Sequence, residues 1–195
     1  MVSDFNILVS KIKSFRRRYN FYQFVKGFLF LLLLFIIISL ILNFIEYIFF
    51  LTVWWRTVIF YTFSIFFAVA ALRFIFYPFL QWVGLFPSYN DLKISGIIRQ
   101  FIPEVKDKLL NIIELNDLRD DRYSHNIVEA AISQKIQEIK IFDFAAFVNF
   151  KILKKIFLYL LISFVFVLTI FLVDKRMIAE PGYRFLHYKK EFVKP

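Results

Sequence analysis

Several features on which catalytic and disulfide-bonded proteins depend are missing from this chain. It contains no cysteine, which excludes disulfide bridges, thiolate metal sites and cysteine nucleophiles. Only 4 of its 195 residues are glycine and 2 are histidine, and it has no glycine-rich phosphate loop, G-x-S-x-G motif or H-E-x-x-H motif. The sequence therefore predicts a protein that is not an enzyme and that holds no cofactor and no metal.

Apolar residues are present in excess. Hydrophobic residues make up 60% of the chain, 29 residues are phenylalanine, and the mean hydropathy is +0.65. A soluble domain averages about 45–50% apolar residues. Three runs, at 27–50, 57–77 and 156–173, are long enough to cross a hydrocarbon core about 30 Å thick, which takes roughly 20 helical residues. The predicted fold class is an all-α membrane protein with three transmembrane helices and a small cytoplasmic helical layer between the second and third.

The distribution of charge predicts the topology. Segment 1–26 holds six basic residues and one acid, and such a flank stays in the cytoplasm. The turn 51–56 carries one basic residue and is expected outside, whereas "KILKK" (151–155) is a second cytoplasmic signature. Segment 174–195 is therefore predicted to be external and to lead into a larger domain, although its six basic and three acidic residues argue mildly against that side. The expected location is the bacterial inner membrane, and the first expected partner is the lipid bilayer.

The middle segment, 78–155, is nearly neutral, with 11 basic and 10 acidic residues. Its predicted helices are apolar on one side only, so each needs a partner, either another helix of this chain or another polypeptide. One such stripe comprises Ile94, Ile97, Ile98 and Phe101. The candidate partner-binding stripes are Val105, Leu109 and Ile112 in one helix and Val128, Ile132 and Ile136 in the next. Because no basic patch interleaves with aromatic residues on a soluble surface, no nucleic-acid binding is expected.

Polar and small residues in the spans are the remaining candidates for a role. Asn43, Glu46 and Arg73 lie in or near the first two spans, where ionisable groups are functional candidates by default. Glu46 is expected at the external end of the first span and Arg73 at the cytoplasmic end of the second, so both side chains can extend to water. One face of the second span carries small residues and is predicted to pack against another helix. This face comprises Thr57, Tyr61, Ser64, Ala68 and Ala71.

Three stretches carry a resemblance to a known family. "PEVKDKLLN" (103–111), "AAISQKIQEIK" (130–140) and "YRFLHYKKEFVKP" (183–195) are similar to the N-terminal region of very large inner-membrane proteins of the Bacteroidota, a family of unknown function that carries a loose "ATPase" label. The resemblance implies a basic N-terminus, two close spans, a cytoplasmic segment, a third span and a long external part that continues past Pro195. It also implies an association with a MoxR-type ATPase and with von Willebrand-type adhesion domains.

These features favour a non-enzymatic anchor and scaffold in a cell-envelope assembly. Its expected protein partners are other membrane or envelope proteins, or copies of itself. The alternative is a subunit of an ion-driven motor, channel or transporter, with polar residues such as Glu46 lining the path. Replacing Glu46 with Gln separates the two hypotheses, because an anchor is expected to tolerate the change and a proton path is not.

Reporter fusions test the predicted topology. A fusion after Arg18, or within 115–121, should report the cytoplasm, because both positions are predicted on the basic side of the membrane. A fusion after Pro195 should report the outside. A cytoplasmic signal after Pro195 would contradict the three-span topology.

Overall fold

The structure is a computed structural model that describes residues 2–86, 94, 96–98, 134, 144, 148 and 150–193. These residues form helices and no strand, so the predicted all-α class is confirmed. The helical elements are α1 (Val2–Phe49), α2 (Val53–Ala71), a π-helical segment (Leu72–Phe76), α3 (Tyr77–Val83), α4 (Lys151–Val173) and α5 (Arg176–Leu186).

Within the described ranges, three helical stretches are long and apolar enough to cross a membrane, as the sequence predicts. They are Val9–Phe49, Val53–Val83 and Lys151–Val173. The first is much longer than its apolar run, because no glycine or proline precedes Gly27 and the basic N-terminal segment therefore continues the same helix. The chain is thus a membrane protein by the length and composition of its helices.

The chain forms two compact units, and the first comprises Met1–Gln23 and Pro78–Asn149. Its core contains the α1 side chains Ile12, Phe15 and Tyr22 together with Ile94, Ile98, Phe144 and Val148, all of them buried. Of the predicted stripe, Ile94 and Ile98 are buried and Ile97 is half-buried, whereas Phe101 lies outside the described residues. Asn20 in α1 is also buried and donates a hydrogen bond from Nδ2 to the backbone oxygen of Gln81 at 3.3 Å. This bond joins α1 to α3 within the first unit.

The second unit comprises Phe24–Tyr77 and Phe150–Pro195. Here α1 meets α2 through aromatic rings, since the centroid of Phe35 lies 5.4 Å from that of Phe63 and 5.3 Å from that of Phe67. The face of α2 that contacts α1 is therefore lined by phenylalanine.

The small-residue face of α2 is mostly uncovered in this single chain. Ser64 and Ala68 are exposed and Tyr61 is 48% exposed, whereas Thr57 and Ala71 are half-buried. Phenylalanine is the commonest residue of the spans and fills the α1 contact, which leaves the small side chains outside it. Packing of this face against another helix stays a prediction.

Gly27 is the point of closest approach between α1 and the π-helical segment. A Cβ atom built on Gly27 would clash with the backbone oxygen of Phe74 and would lie 2.9 Å from its carbonyl carbon. A π-helical turn hydrogen-bonds five residues apart, and here the amide of Tyr77 donates to the oxygen of Leu72. The missing side chain of Gly27 lets the two backbones meet at this wider turn. In lipid, where apolar side chains gain little by associating, such close contact is a main source of helix pairing.

Gly27→Ala should destabilise the protein, although alanine is the better helix former. By propensity alone the change would stabilise a helix by about 0.5–1 kcal/mol. Because the new Cβ meets backbone rather than a movable side chain, we expect a net loss of about 1–3 kcal/mol in the free energy of unfolding. Thermal unfolding of the detergent-solubilised protein measures it.

Gly96→Ala is the matched control, because a Cβ at Gly96 meets no atom of the described residues within 4 Å. It should leave stability unchanged or slightly raised. A stabilising effect at both glycines would rule out the close contact between Gly27 and Phe74.

Candidate functional site

The connection between α1 and α2 is short and strained. Phe50, directly after α1, has a backbone φ of 45°, in the left-handed region that costs roughly 1–2 kcal/mol for a residue with a side chain. Glu46, one turn before the end of α1, accepts a hydrogen bond through Oε2 from the Leu51 amide at 3.2 Å. The carboxylate of Glu46 thus closes the connection on its own helix.

Two arginines from other helices approach the second oxygen of this carboxylate. Glu46 Oε1 lies 4.0 Å from Arg56 Nε in α2 and 3.7 Å from Arg184 Nη1 in α5. The side chains of Glu46, Arg56 and Arg184 are only 1%, 3% and 8% exposed, respectively. We name these three residues the Arg–Glu clamp. It joins α1, α2 and α5 around one buried carboxylate.

The C-terminal end of α1 explains why cations collect there. The aligned peptide dipoles leave partial negative charge at that end of a helix, which favours a positive side chain. The last turn of α1 contains no basic residue. Arg56 and Arg184 supply the missing positive charge from α2 and α5, and Glu46 adds a full negative charge to the same place.

Aromatic rings and backbone oxygens complete the surroundings of the two guanidinium groups. Arg184 lies 3.8 Å above the ring centroid of Phe50, and Arg56 lies 4.9 Å above that of Phe192. Arg56 also donates from Nη2 to the backbone oxygen of Lys190 at 3.0 Å. A desolvated cation over an aromatic face gains about 2 kcal/mol or more. The contact of Arg184 with Phe50 therefore offsets the strained backbone of that phenylalanine.

The clamp contains more buried positive charge than buried negative charge. Within the described residues, Nε and Nη1 of Arg56 and Nη1 of Arg184 have no hydrogen-bond acceptor. Glu180, which accepts from Arg184 Nη2 at 3.2 Å, is half exposed and belongs to α5 itself. Glu46 is consequently the one buried anion that these two buried cations share, which makes it the residue on which the cluster depends.

The segment after α5 is attached to α2 by a second set of contacts. The ring of Tyr188 stacks on that of Phe60, with centroids 4.4 Å apart, and its hydroxyl lies 3.0 Å from the Tyr61 hydroxyl. This hydrogen bond raises the pKa of Tyr188 above its ordinary value of 10.0. Together with the bond from Arg56 to Lys190, these contacts hold the segment from His187 to Phe192 on α2.

A small apolar crevice of about 290 Å³ lies where α1, α2 and α5 meet. Phe35, Phe63 and Phe185 are among its lining residues, and Asn43 and Ser39 are its polar members. Asn43 donates from Nδ2 to the backbone oxygen of Ser39 at 2.8 Å, while its buried Oδ1 has no hydrogen-bond partner among the described residues. A Cβ on Gly182 would lie 3.6 Å from Asn43 Oδ1, so α5 packs closely here.

The structure places the predicted polar residues in three different situations. Glu46 is 1% exposed and paired with two arginines, which corrects the expectation that it extends to water. Arg73 is exposed and lies 5.6 Å above the ring of Tyr77. Asn43 lies one turn before Glu46 on α1 and next to α5. Of these three residues, only Asn43 and Glu46 therefore belong to one site.

Arg56 and Arg184 are not among the residues predicted from the sequence. In the sequence, Arg56 is only the single cation of a short turn. The α5 segment has no predicted structure, because Pro181 and Gly182 interrupt its helical pattern. The spacing of the covered positions in this segment is nevertheless helical. Buried or half-buried residues recur there every three or four positions, at Met177, Pro181, Arg184 and Tyr188. The candidate stripes lie outside the described residues, at Val105, Leu109, Ile112, Val128, Ile132 and Ile136.

No protein-family model matches this chain, and no curated protein or solved structure matches it either. The Bacteroidota resemblance therefore stays a prediction. In the part of the chain that the structure describes, no group of three or more histidine, aspartate or glutamate side chains lies close enough to hold a metal ion.

Glu46→Gln should lower the free energy of unfolding by about 3–5 kcal/mol, the usual effect of removing one partner of a buried ion pair. The change leaves the buried Arg56 without a counter-ion and leaves Arg184 with only the half-exposed Glu180. Unfolding in detergent, followed by circular dichroism, measures the loss. Arg176→Met on the exposed side of α5 is the control and should change stability by less than about 0.5 kcal/mol.

The double variant with Glu46→Gln and Arg184→Met should lose less stability than the sum of the two single changes, because the second change removes a cation whose buried counter-ion the first has already removed. Strictly additive losses would show that Arg184 and Glu46 do not interact.

Proposed function

We propose that this protein is a non-enzymatic anchor and scaffold subunit of a cell-envelope assembly in the bacterial inner membrane. In this proposal the N-terminus and the middle segment are cytoplasmic, and the segment after α4 is external and leads into an external domain. The spans hold the two sides in a fixed relation. The proposed partners are other membrane or envelope proteins or further copies of the chain, and the association with a MoxR-type ATPase rests on the family resemblance alone.

The observation that carries the proposal is the Arg–Glu clamp. An anchor must connect its external segment to the membrane helices by more than one flexible peptide link. Arg184 and the Lys190 backbone do this from α5 and its continuation, and both connect to the hairpin formed by α1 and α2. Breaking one member of a buried ionic cluster is costly, so the attachment resists separation.

The environment of Glu46 favours an anchor over an ion path. A proton carrier in a path exchanges its proton between donors and acceptors on either side of it. Glu46 instead contacts Arg56, Arg184 and the Leu51 amide, three groups that favour the carboxylate and oppose the cost of burying it. Because of these contacts, Glu46→Gln is expected to reduce stability whether the protein is an anchor or an ion path, so tolerance of the change cannot separate the two hypotheses. A measurement of proton flux across a membrane separates them.

Proton flux into liposomes that contain a pH-sensitive dye tests the proposal. With an imposed proton gradient, liposomes carrying the parent protein should acidify no faster than protein-free liposomes. Glu46→Gln should behave in the same way, with the inserted amount of each protein matched by quantitative immunoblot.

The control is Arg73→Gln, which removes an exposed charge outside the clamp. A flux that the parent protein supports, that Glu46→Gln abolishes and that Arg73→Gln leaves intact would overturn the anchor and establish the ion path.

A further inference from the structure

The first unit contains an open cavity of about 850 Å³ between the N-terminal part of α1 and the end of α3. Among the described residues that line it, Lys13, Arg16 and Arg17 of α1 are cations, and Trp82 and Phe86 are aromatic. No acidic residue is among the described residues that line it. This volume lies within the range of about 300–1,000 Å³ that is usual for small-molecule sites.

Lys13 and Arg17 are the two cations that remain available for a ligand. Both side chains are exposed, and within the described part of the chain neither makes an ion pair or a hydrogen bond. They are four residues apart on one helix, so they lie on the same face, where like charges repel and destabilise the helix. The need for a positive flank explains the number of cations in the segment, but it does not require two of them to face one cavity.

The chemistry of the lining matches a phosphate group. Arginine presents a planar fork of N–H donors and lysine a compact charge, and both are common phosphate ligands. The Ser14 hydroxyl, one residue after Lys13, also lines the cavity and can donate a further hydrogen bond. The cavity is larger than inorganic phosphate requires, and Trp82 provides a flat apolar surface for the rest of a ligand.

We propose that this cavity binds a phosphate-bearing anion through Lys13 and Arg17, with Ser14 as a hydrogen-bond donor and Trp82 against the remainder of the ligand. Two sources share this chemistry. One is the headgroup of an anionic phospholipid, since basic clusters beside a membrane helix attract such lipids. The other is a soluble phosphorylated molecule. The proposal does not depend on the anchor function.

Trp82 gives a direct measurement of binding. The chain has 3 tryptophans, and Trp54 and Trp55 are 64% and 53% exposed, so replacing both with Phe leaves Trp82 as a single reporter in the cavity. In detergent, this protein is titrated in separate arms with dioctanoyl phosphatidylglycerol, with the zwitterionic dioctanoyl phosphatidylcholine and with inorganic pyrophosphate. A saturable fluorescence change with phosphatidylglycerol but not phosphatidylcholine identifies the lipid headgroup as the source. A saturable change with pyrophosphate identifies a soluble anion.

The double change Lys13→Gln and Arg17→Gln should raise the midpoint of whichever titration gives a response at least about tenfold. Helical content should stay the same and the thermal midpoint should not fall, because both side chains are exposed and their mutual repulsion is removed. The matched control is Lys154→Gln with Lys155→Gln, which removes the same number of exposed charges from α4. It should shift the midpoint less than about twofold. No saturable response in any arm, or equal shifts in the two double variants, would overturn the proposed site.

Discussion

The arrangement of the second unit depends on one buried carboxylate. Glu46 lies near the end of an apolar helix, where an unpaired charge costs several kcal/mol. A buried carboxylate at this position requires nearby cations, and Arg56 of α2 and Arg184 of α5 supply them. Each cation stacks on an aromatic ring that lies outside the helices, Arg184 on Phe50 and Arg56 on Phe192. A single charge thus fixes the turn after α1, the start of α2 and the position of α5.

This dependence follows from the composition of the spans. Between membrane helices the hydrophobic effect gives little preference for one arrangement over another, because lipid tails are as apolar as the side chains. Helices covered with phenylalanine can therefore pair in many ways of similar free energy. The features that choose one arrangement are few and specific: the backbone contact at Gly27, the ring cluster around Phe35 and the ionic contacts of the clamp. They lie at different depths along α1, so together they set both its rotation and its register.

The sequence predicted those parts of the structure that depend on total hydrophobicity and on helical period. The all-α class, the three spans and the burial of Ile94 and Ile98 follow from local patterns that one segment carries by itself. The clamp does not, because it is made of three single charges separated by up to more than a hundred residues along the chain. Glu46 is a candidate from the sequence alone, but its pairing with Arg184 depends on the helix α5, which the sequence pattern does not predict. Pro181 argues against a helix in the sequence, yet in the structure it lies inside α5 and is buried.

The contrast between the basic residues of the two units shows why net charge alone is a poor guide to role. The formal net charge of +10 does not tell which basic side chains are paired with an acid inside the protein and which are free to bind an anion. Arg56 and Arg184 are buried and committed to Glu46, and they contribute to internal structure. Lys13 and Arg17 are exposed over a cavity without an acid among its described lining, and they contribute an electrostatic potential that an anion can use. Solvent exposure and the presence of a counter-ion, rather than the count of lysine and arginine, separate the residues that hold this protein together from those that can recognise a ligand.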